Sequence, residues 1–204
     1  MPRRRSLTSD RIAGAALAVM DREGTAGLSM RAVAAELGVG TMSLYRYVSD
    51  REELELLVVD KVLAAVDVRR PAGLSWQGWV AELAQRSRVA IAAHPAVVPL
   101  LLAHRHASQH SWRWTEAMLA ALTEGGFSGQ RRVIAQRCVV AYITGALQAQ
   151  YYGPLSGQGT IALSALSPES YPLLAETARY ARDVSADQEF RQGLDIVLQG
   201  MRSN

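Results

Sequence analysis

The segment from Thr41 to Tyr47, TMSLYRY, carries a set of side chains that could recognise nucleic acid. Its hydroxyl groups and the guanidinium of Arg46 can donate hydrogen bonds to base edges and phosphates, and its apolar members can contact the same edges. No acidic residue interrupts the segment. A helix of this composition is suited to the major groove of DNA. The alternative is an ordinary helical hairpin inside a bundle, with the aromatic side chains in its core.

The residues around this segment predict two helices joined by a tight turn. Ser29 is a good N-cap for a helix over Met30–Leu37, because its side-chain oxygen can accept from the free N–H groups of the first turn. Gly38 follows at once, and glycine readily adopts the left-handed conformation that commonly ends a helix. A short second helix over Thr41–Tyr47 turns Leu44 inwards. This order of elements is the pattern of a helix-turn-helix.

The sequence around the motif resembles the tetracycline repressor (TetR) family of transcriptional regulators. The matching pieces are DREGTAGLSMRAVA, AAELGVGTMSLYRYV and DREEL in the first part of the chain, and SWQGWV, AHP and ALTEGGFS further on. The resemblance implies an all-α fold with two domains. Residues 1–66 would form a three-helix DNA-binding domain that contains the helix-turn-helix, and residues 67–204 a helical bundle for ligand binding and dimerisation.

The resemblance also implies roles for individual residues of the motif. By the family pattern, the start of the second helix faces base edges and its tyrosines contact phosphates or thymine methyl groups, although Tyr45 could instead be largely core. Arg46 could reach a guanine bidentately, and Arg51 stands where the family usually has a lysine that touches phosphate. The full predicted DNA-binding set is Met30, Arg31, Thr41, Met42, Ser43, Tyr45, Arg46, Tyr47 and Arg51.

A second set of residues could line a ligand cavity between the later helices, since pockets in helical bundles are mostly apolar with a few polar groups. The predicted members are Trp79, Leu83, Leu101, His104, Trp112, Met118, Gln136, Val140, Ile143, Thr144 and Tyr151. The alternative for each apolar member is a plain core position. The polar members Gln136, Thr144 and His104 are the more informative ones, because a buried polar group needs a partner that could be a ligand.

The histidines do not predict a metal site. His104, His106 and His110 cannot share one helix face, and no cysteine or carboxylate motif accompanies them, so a solvated or pocket-edge cluster is expected. In the tetracycline repressor a histidine helps to hold a magnesium–drug chelate; the matching position here is near Leu101, which counts against that chelate as the ligand. Enzyme motifs such as G-x-S-x-G, the P-loop and H-E-x-x-H are absent from the sequence, so neither catalytic residues nor a cofactor are expected.

Composition and hydrophobic periodicity indicate an ordinary helical protein. The chain has 204 residues, 49% of them hydrophobic and 20% charged, with a net charge of +3 that is too small by itself to indicate nucleic-acid binding. Arg3, Arg4 and Arg5 form a basic arm, which is either a solvated tail or a contact to DNA. A single cysteine, no signal peptide and no apolar run of membrane-spanning length predict a cytoplasmic protein without a membrane partner.

Helices are predicted over about residues 9–23, 30–37, 41–47, 50–66, 75–94, 112–122, 129–152, 168–183 and 185–201, with residues 153–167 as a flexible excursion. The last helix carries an apolar stripe that we expect a second subunit to cover: Phe190, Leu194, Val197, Leu198 and Met201. We therefore expect a homodimeric repressor that a small apolar or amphipathic effector releases from double-stranded, palindromic operator DNA. The alternatives are an activator, a repressor without a ligand, and a helical small-molecule binder or enzyme that does not bind DNA.

Overall fold

The computed structural model describes residues 7–104 and 106–201, and this part of the chain contains helices and no strand, which confirms the all-α prediction. The basic arm at Arg3–Arg5 lies outside the described residues. The helices are α1 (Ser9–Gly27), α2 (Met30–Leu37), α3 (Thr41–Leu44), α4 (Arg51–Ala64), α5 (Trp76–Ala92), a 3₁₀ turn (Pro95–Val97), α6 (Val98–His104), α7 (Gln109–Glu124), α8 (Gly129–Tyr152), α9 (Gln158–Ser164), α10 (Pro172–Ala181) and α11 (Ala186–Gly200).

The described residues form two compact units. One comprises the chain up to Arg69 together with Arg86–Ala117, and the other comprises Arg70–Gln85 together with the residues from Met118 onwards. The segment Arg86–Ala117 joins the first unit because α6 packs on α4, and the 3₁₀ turn packs on α1. These compact units therefore differ from the predicted division at residue 66, and the functional division into a DNA-binding and a regulatory domain remains a prediction.

The first unit is built around α1, which packs against both α2 and α4. Its apolar face is fully buried at Ile12 and Val19, and α2 and α4 contribute Val33 and Leu54 to the same core. Burying one such side chain stabilises the fold by about 1.5–3 kcal/mol, so this core dominates the stability of the unit. Gly24, which was predicted to end the first helix, has φ 72° and interrupts α1 before its last residues.

The second unit is built on the packing of α11 against α8. Phe190, Leu194 and Leu198 are buried within this one chain, so most of the apolar stripe of α11 is covered by α8 and not by a second subunit. The prediction was wrong for these three residues, because periodicity shows that a face is buried but not what buries it. Val197 and Met201 are half-buried. The hydroxyl of Tyr142 donates to the carbonyl oxygen of Phe190 at 2.8 Å and fixes the register of the two helices.

The segment between α8 and α11 contains more helix than was predicted. Residues 153–167 were expected to be a flexible excursion, but Gln158–Ser164 forms α9, which packs against α10. The glycine- and serine-rich composition of the segment favoured a loop, but residues 160–163, TIAL, contain no helix-breaking residue. α10 begins at Pro172, four residues later than predicted. Proline is well tolerated in the first turn of a helix, where its missing N–H is not needed.

Among the described helices, no single one is long and apolar enough to cross a membrane. Helix α5 and the segment Pro95–His104 meet the length and composition criteria only when they are joined across a bend.

Candidate functional site

The first helix of the motif and its turn have the predicted geometry. The hydroxyl oxygen of Ser29 accepts from the backbone N–H of Ala32 at 3.2 Å and caps α2. Gly38 adopts φ 68° and ψ 32°, and its N–H donates to Ala35 at 3.0 Å. The N–H of Val39 donates to Ala34 at 2.9 Å, which completes the closing turn. These contacts confirm Ser29 and Gly38 as the two ends of the helix.

The second helix of the motif is shorter than predicted. α3 ends at Leu44, and the backbone N–H of Tyr47 then donates to Leu44 in a turn, so the helix does not reach Tyr47. Gly40 precedes it without any side chain that could cap it. Leu44 and Val48 are fully buried, and they anchor this short element to the unit. Anchoring by buried side chains replaces the stability that one helical turn cannot supply alone.

Most of the predicted DNA-binding side chains lie at the surface of the first unit. Met42 is 78% exposed, Tyr45 47% and Tyr47 43%, so neither tyrosine is a core residue. Arg31 and Arg46 are exposed, whereas Thr41 and Ser43 are half-buried. Met30 is buried and packs in the core of the unit, which leaves it little surface for a nucleic acid.

Arg51 begins α4 just after the motif. Its Nε donates to Glu55 Oε1 at 2.8 Å, and its Nη2 donates to the carbonyl oxygen of Thr25 at 3.1 Å. The helix start is capped as expected, since Asp50 Oδ1 accepts from the N–H of Glu53 at 2.9 Å. The carboxylate of Glu53 accepts from the N–H of Ser49 at 2.7 Å, one residue before the position of an ideal capping box.

Glu55 also contacts the end of α6. Its Oε2 lies 2.8 Å from Nε2 of His104, and both side chains are largely buried. Partial burial by itself raises the pKa of the Glu55 carboxyl, but hydrogen bonds from Arg51 and then His104 outweigh it, so the pKa lies below the ordinary value of 4.5. The carboxylate is therefore ionised and acceptor-only, which requires His104 to donate from Nε2.

A second carboxylate of α4 holds the start of α7. Asp60 Oδ1 accepts from the hydroxyl of Ser108 at 2.7 Å and lies 2.9 Å from Nδ1 of His110. Burial by itself raises the pKa of Asp60, but the hydrogen bonds from His110 and Ser108 outweigh this effect. The pKa therefore lies below its ordinary value of 3.8. On α1, Asp21 Oδ2 lies 2.8 Å from Nδ1 of His94.

The prediction of a solvated or pocket-edge histidine cluster was wrong for His104, while His110 lines a surface pocket. His104 is buried and His110 is half-buried, each against a carboxylate of α4, and His106 is exposed. The described residues contain no group of three histidine, cysteine, aspartate or glutamate side chains that could hold a metal ion. No local pattern could have revealed these pairs, because the partners are 49 and 50 residues apart in the sequence.

The predicted ligand-binding residues divide between the two units. Leu101, His104 and Trp112 belong to the first unit, where Leu101 is half-buried and Trp112 is exposed. The remaining residues belong to the second unit, where Trp79, Leu83, Met118 and Ile143 are buried, Gln136, Val140 and Thr144 are half-buried, and Tyr151 is exposed. The polar group of His104 has its partner in Glu55, so it does not require a ligand.

The first unit has a surface pocket of about 290 Å³ at the end of α4. It is lined by the residues from Leu63 to Val68 and by His110 and Arg113 of α7. None of the predicted ligand-binding residues lines this pocket.

The described residues are all-α and contain a helix-turn-helix whose second helix and following turn expose Met42, Tyr45, Arg46 and Tyr47. These features define the class of helical DNA-binding regulators. Two family models match this chain: the tetR family of bacterial regulatory proteins over residues 12–56, and the tetracyclin repressor-like C-terminal domain over residues 70–204. The chain belongs to the TetR family.

Similar proteins include a transcriptional repressor and a protein of known crystal structure, both from Streptomyces. The HTH-type transcriptional repressor DrrR1 of Streptomyces coeruleorubidus is 37% identical over 150 residues, which are 72% of this chain and 55% of that protein. This chain therefore matches little more than half the length of DrrR1.

The crystal structure of apo ActR from Streptomyces coelicolor is 30% identical, with a TM-score of 0.80 over 95% of this chain and 94% of ActR. ActR in complex with actinorhodin is 29% identical, with a TM-score of 0.81 over 96% and 95% of the two chains.

Proposed function

We propose that this protein is a transcriptional repressor that reads operator DNA with α3 and the turn that follows it. The observation that carries the proposal is the division of the segment between buried and exposed residues. Leu44 and Val48 are buried and hold the segment in place, while Met42, Tyr45 and Arg46 stand at the surface. A side chain can read a base edge only if it is free to enter the groove on a fixed support, and this segment meets both conditions.

The proposed active form is a homodimer that binds a palindromic site. One short helix contacts too few base pairs for useful specificity, and a two-fold axis doubles the number of base pairs that are read. Apolar side chains on α8 and α11 support this proposal, since Val133, Ile134 and Ile196 are each more than half exposed in the single chain. Exposed apolar surface of this kind is a common sign of a subunit interface.

The proposed signal is a small apolar or amphipathic molecule bound among the later helices. The crystal structure of the similar protein ActR in complex with actinorhodin supports the proposal of a bound small molecule. Trp79, Leu83, Met118 and Ile143 would supply an apolar lining, and Gln136 and Thr144 would supply hydrogen bonds.

Selection from a pool of random-sequence duplexes tests the DNA-binding proposal. The purified protein should enrich a palindrome whose half-sites lie about one helical turn, 34–36 Å, apart. Recovery of an unpalindromic sequence would contradict the dimer. Failure to enrich any sequence would favour a ligand-binding protein that does not recognise DNA.

Titration with actinorhodin, with and without the enriched duplex, tests the effector proposal. By linkage, a ligand that weakens DNA binding by a given factor must itself bind more weakly to the DNA complex by the same factor. A nearly complete switch requires a preference of about 5.5 kcal/mol for the released state. Equal affinity of actinorhodin in the two titrations would exclude it as the inducer.

A further inference from the structure

We propose that Glu55 is a positioning residue that holds the Arg51 guanidinium ready for a DNA phosphate, and that His104 couples this arrangement to α6. The proposal rests on the proposed function for its DNA partner. Its geometric basis, however, is a chain of three side chains within the first unit.

The guanidinium of Arg51 is fixed on one side and open on the other. An arginine has five N–H donors in a rigid fork. Nε donates to Glu55 and one N–H of Nη2 donates to the carbonyl oxygen of Thr25, so the contacts within the described chain leave the other donors available. The side chain is 49% exposed. Because the side chain is already ordered, binding an anion costs little further conformational entropy.

Glu55 is held in turn by His104. The two side chains are 16% and 9% exposed, and the Nε2–Oε2 distance is 2.8 Å. Each carboxylate oxygen therefore has one partner: Oε1 accepts from Arg51, and Oε2 accepts from His104. A carboxylate bound at both oxygens cannot rotate away from one partner without losing the other.

His104 is the last residue of α6, so the contact reports the position of that helix. A displacement of α6 by about 1 Å would stretch the 2.8 Å contact beyond hydrogen-bond distance. The Oε2 atom would then be left partly buried without a partner, which is costly, and the carboxylate would reorient. Arg51 would lose its support, although its own hydrogen bonds go to Glu55 and Thr25 and not to α6.

Simple charge counting gives the opposite expectation for Glu55. A glutamate close to a phosphate-binding arginine repels DNA, so removing its charge should strengthen binding. The positioning role predicts weaker binding, because Arg51 would lose its fixed geometry. The sign of the effect therefore separates the two interpretations.

The first experiment measures binding to the enriched duplex over a range of salt concentrations. Glu55→Gln should weaken binding by on the order of tenfold, which is about 1.4 kcal/mol. It should also reduce the salt slope by about 0.9 for each phosphate contact that is lost. In the Arg51→Ala background, Glu55→Gln should cause no further weakening.

Glu52→Gln is the matched control, since Glu52 is exposed on the same turn of α4. It removes the same charge without touching Arg51, and it should leave binding unchanged or slightly stronger. Unchanged or tighter binding of Glu55→Gln would overturn the positioning role.

The second experiment follows the Nε–H signal of Arg51 by NMR without DNA, with the signal assigned from its absence in Arg51→Lys. His104→Leu should shift this signal and speed its exchange with water. His104→Gln should preserve it in part, because the amide can still donate to Glu55. His106→Leu, which alters an exposed histidine, should leave the signal unchanged.

An Arg51 Nε–H signal that is unchanged in His104→Leu would overturn the coupling, independently of any DNA-binding result. If the signal responds as expected but no duplex is ever enriched, the coupling stands and the proposed function fails together with the phosphate role of Arg51. Thermal unfolding of each variant confirms that it is folded at the temperature of both experiments.

Discussion

At the scale of single residues, Arg46 is the side chain on which specificity should depend most. It is exposed beside the anchored Leu44 and carries a fork that can bind two acceptors of one guanine. Arg46→Ala should cost about 1–3 kcal/mol on the enriched duplex and relax the preference at one base position of each half-site. Fluorescence anisotropy with single-position variants of the duplex would measure both effects.

Arg179→Ala is the control for that measurement, since it removes the same charge from an exposed position on α10. It should leave the base preference intact. An equal loss of affinity for every duplex on Arg46→Ala would indicate a phosphate contact and not base recognition.

Gly38 tests the turn of the motif at the same scale. Its φ of 68° lies in the left-handed region, and a Cβ there would meet nothing within 4 Å. Gly38→Ala should therefore cost about 1–2 kcal/mol through backbone strain alone. Gly40→Ala is the matched control, because Gly40 has φ −70° and equally open surroundings, and it should cost less than Gly38→Ala. Equal unfolding midpoints in urea for the two variants would contradict the assigned turn.

At the scale of elements, α4 joins the start of the chain to the segment that contains α6 and α7. Glu55 and Asp60 of α4 contact this segment as ionised carboxylates. Their pKa values lie below the ordinary values of 4.5 for Glu55 and 3.8 for Asp60. A lowered folded-state pKa contributes stability that is fully present above the ordinary value. That stability is lost as the pH falls through the ordinary value towards the folded-state one.

We therefore expect acid to loosen this unit from about pH 4.5 downwards. Asp60→Asn should make the melting temperature less dependent on pH between 5 and 3 by removing one of the two carboxylates. Glu52→Gln, on the same helix but at an exposed position, should change that dependence less. An acid dependence that is identical in wild type and Asp60→Asn would show that this carboxylate does not contribute.

At the scale of the whole molecule, assembly should depend on exposed apolar residues of α8 and α11. Ile196 is 71% exposed, so Ile196→Glu should leave the fold of the single chain intact while placing a charge in the proposed interface. Light scattering should then give a mass near 22.2 kDa, against about twice that value for the wild type. Val89→Glu, at an exposed valine of α5, is the control and should not alter the mass. A wild-type mass near 22.2 kDa would contradict the dimer.

The sequence alone determined the local features of this protein. Each local feature depends on a hydrogen bond to a backbone group within four residues. These features are the side-chain caps at Ser29 and Asp50 and the left-handed turn at Gly38, whose own N–H donates back to α2. Such short-range hydrogen bonds can be read from residue types and spacing. The buried Leu44 and exposed Met42 followed in the same way, from the position of each residue on a helix with a known inner face.

Only the tertiary structure decided which distant groups meet. His104 pairs with Glu55 across 49 residues of sequence, and Asp60 holds both Ser108 and His110. The apolar stripe of α11 lies against α8 of the same chain, where periodicity had suggested a second subunit. Periodicity identifies a face that must be covered, because burial of apolar surface is non-directional; the partner that covers it is chosen by how the helices pack.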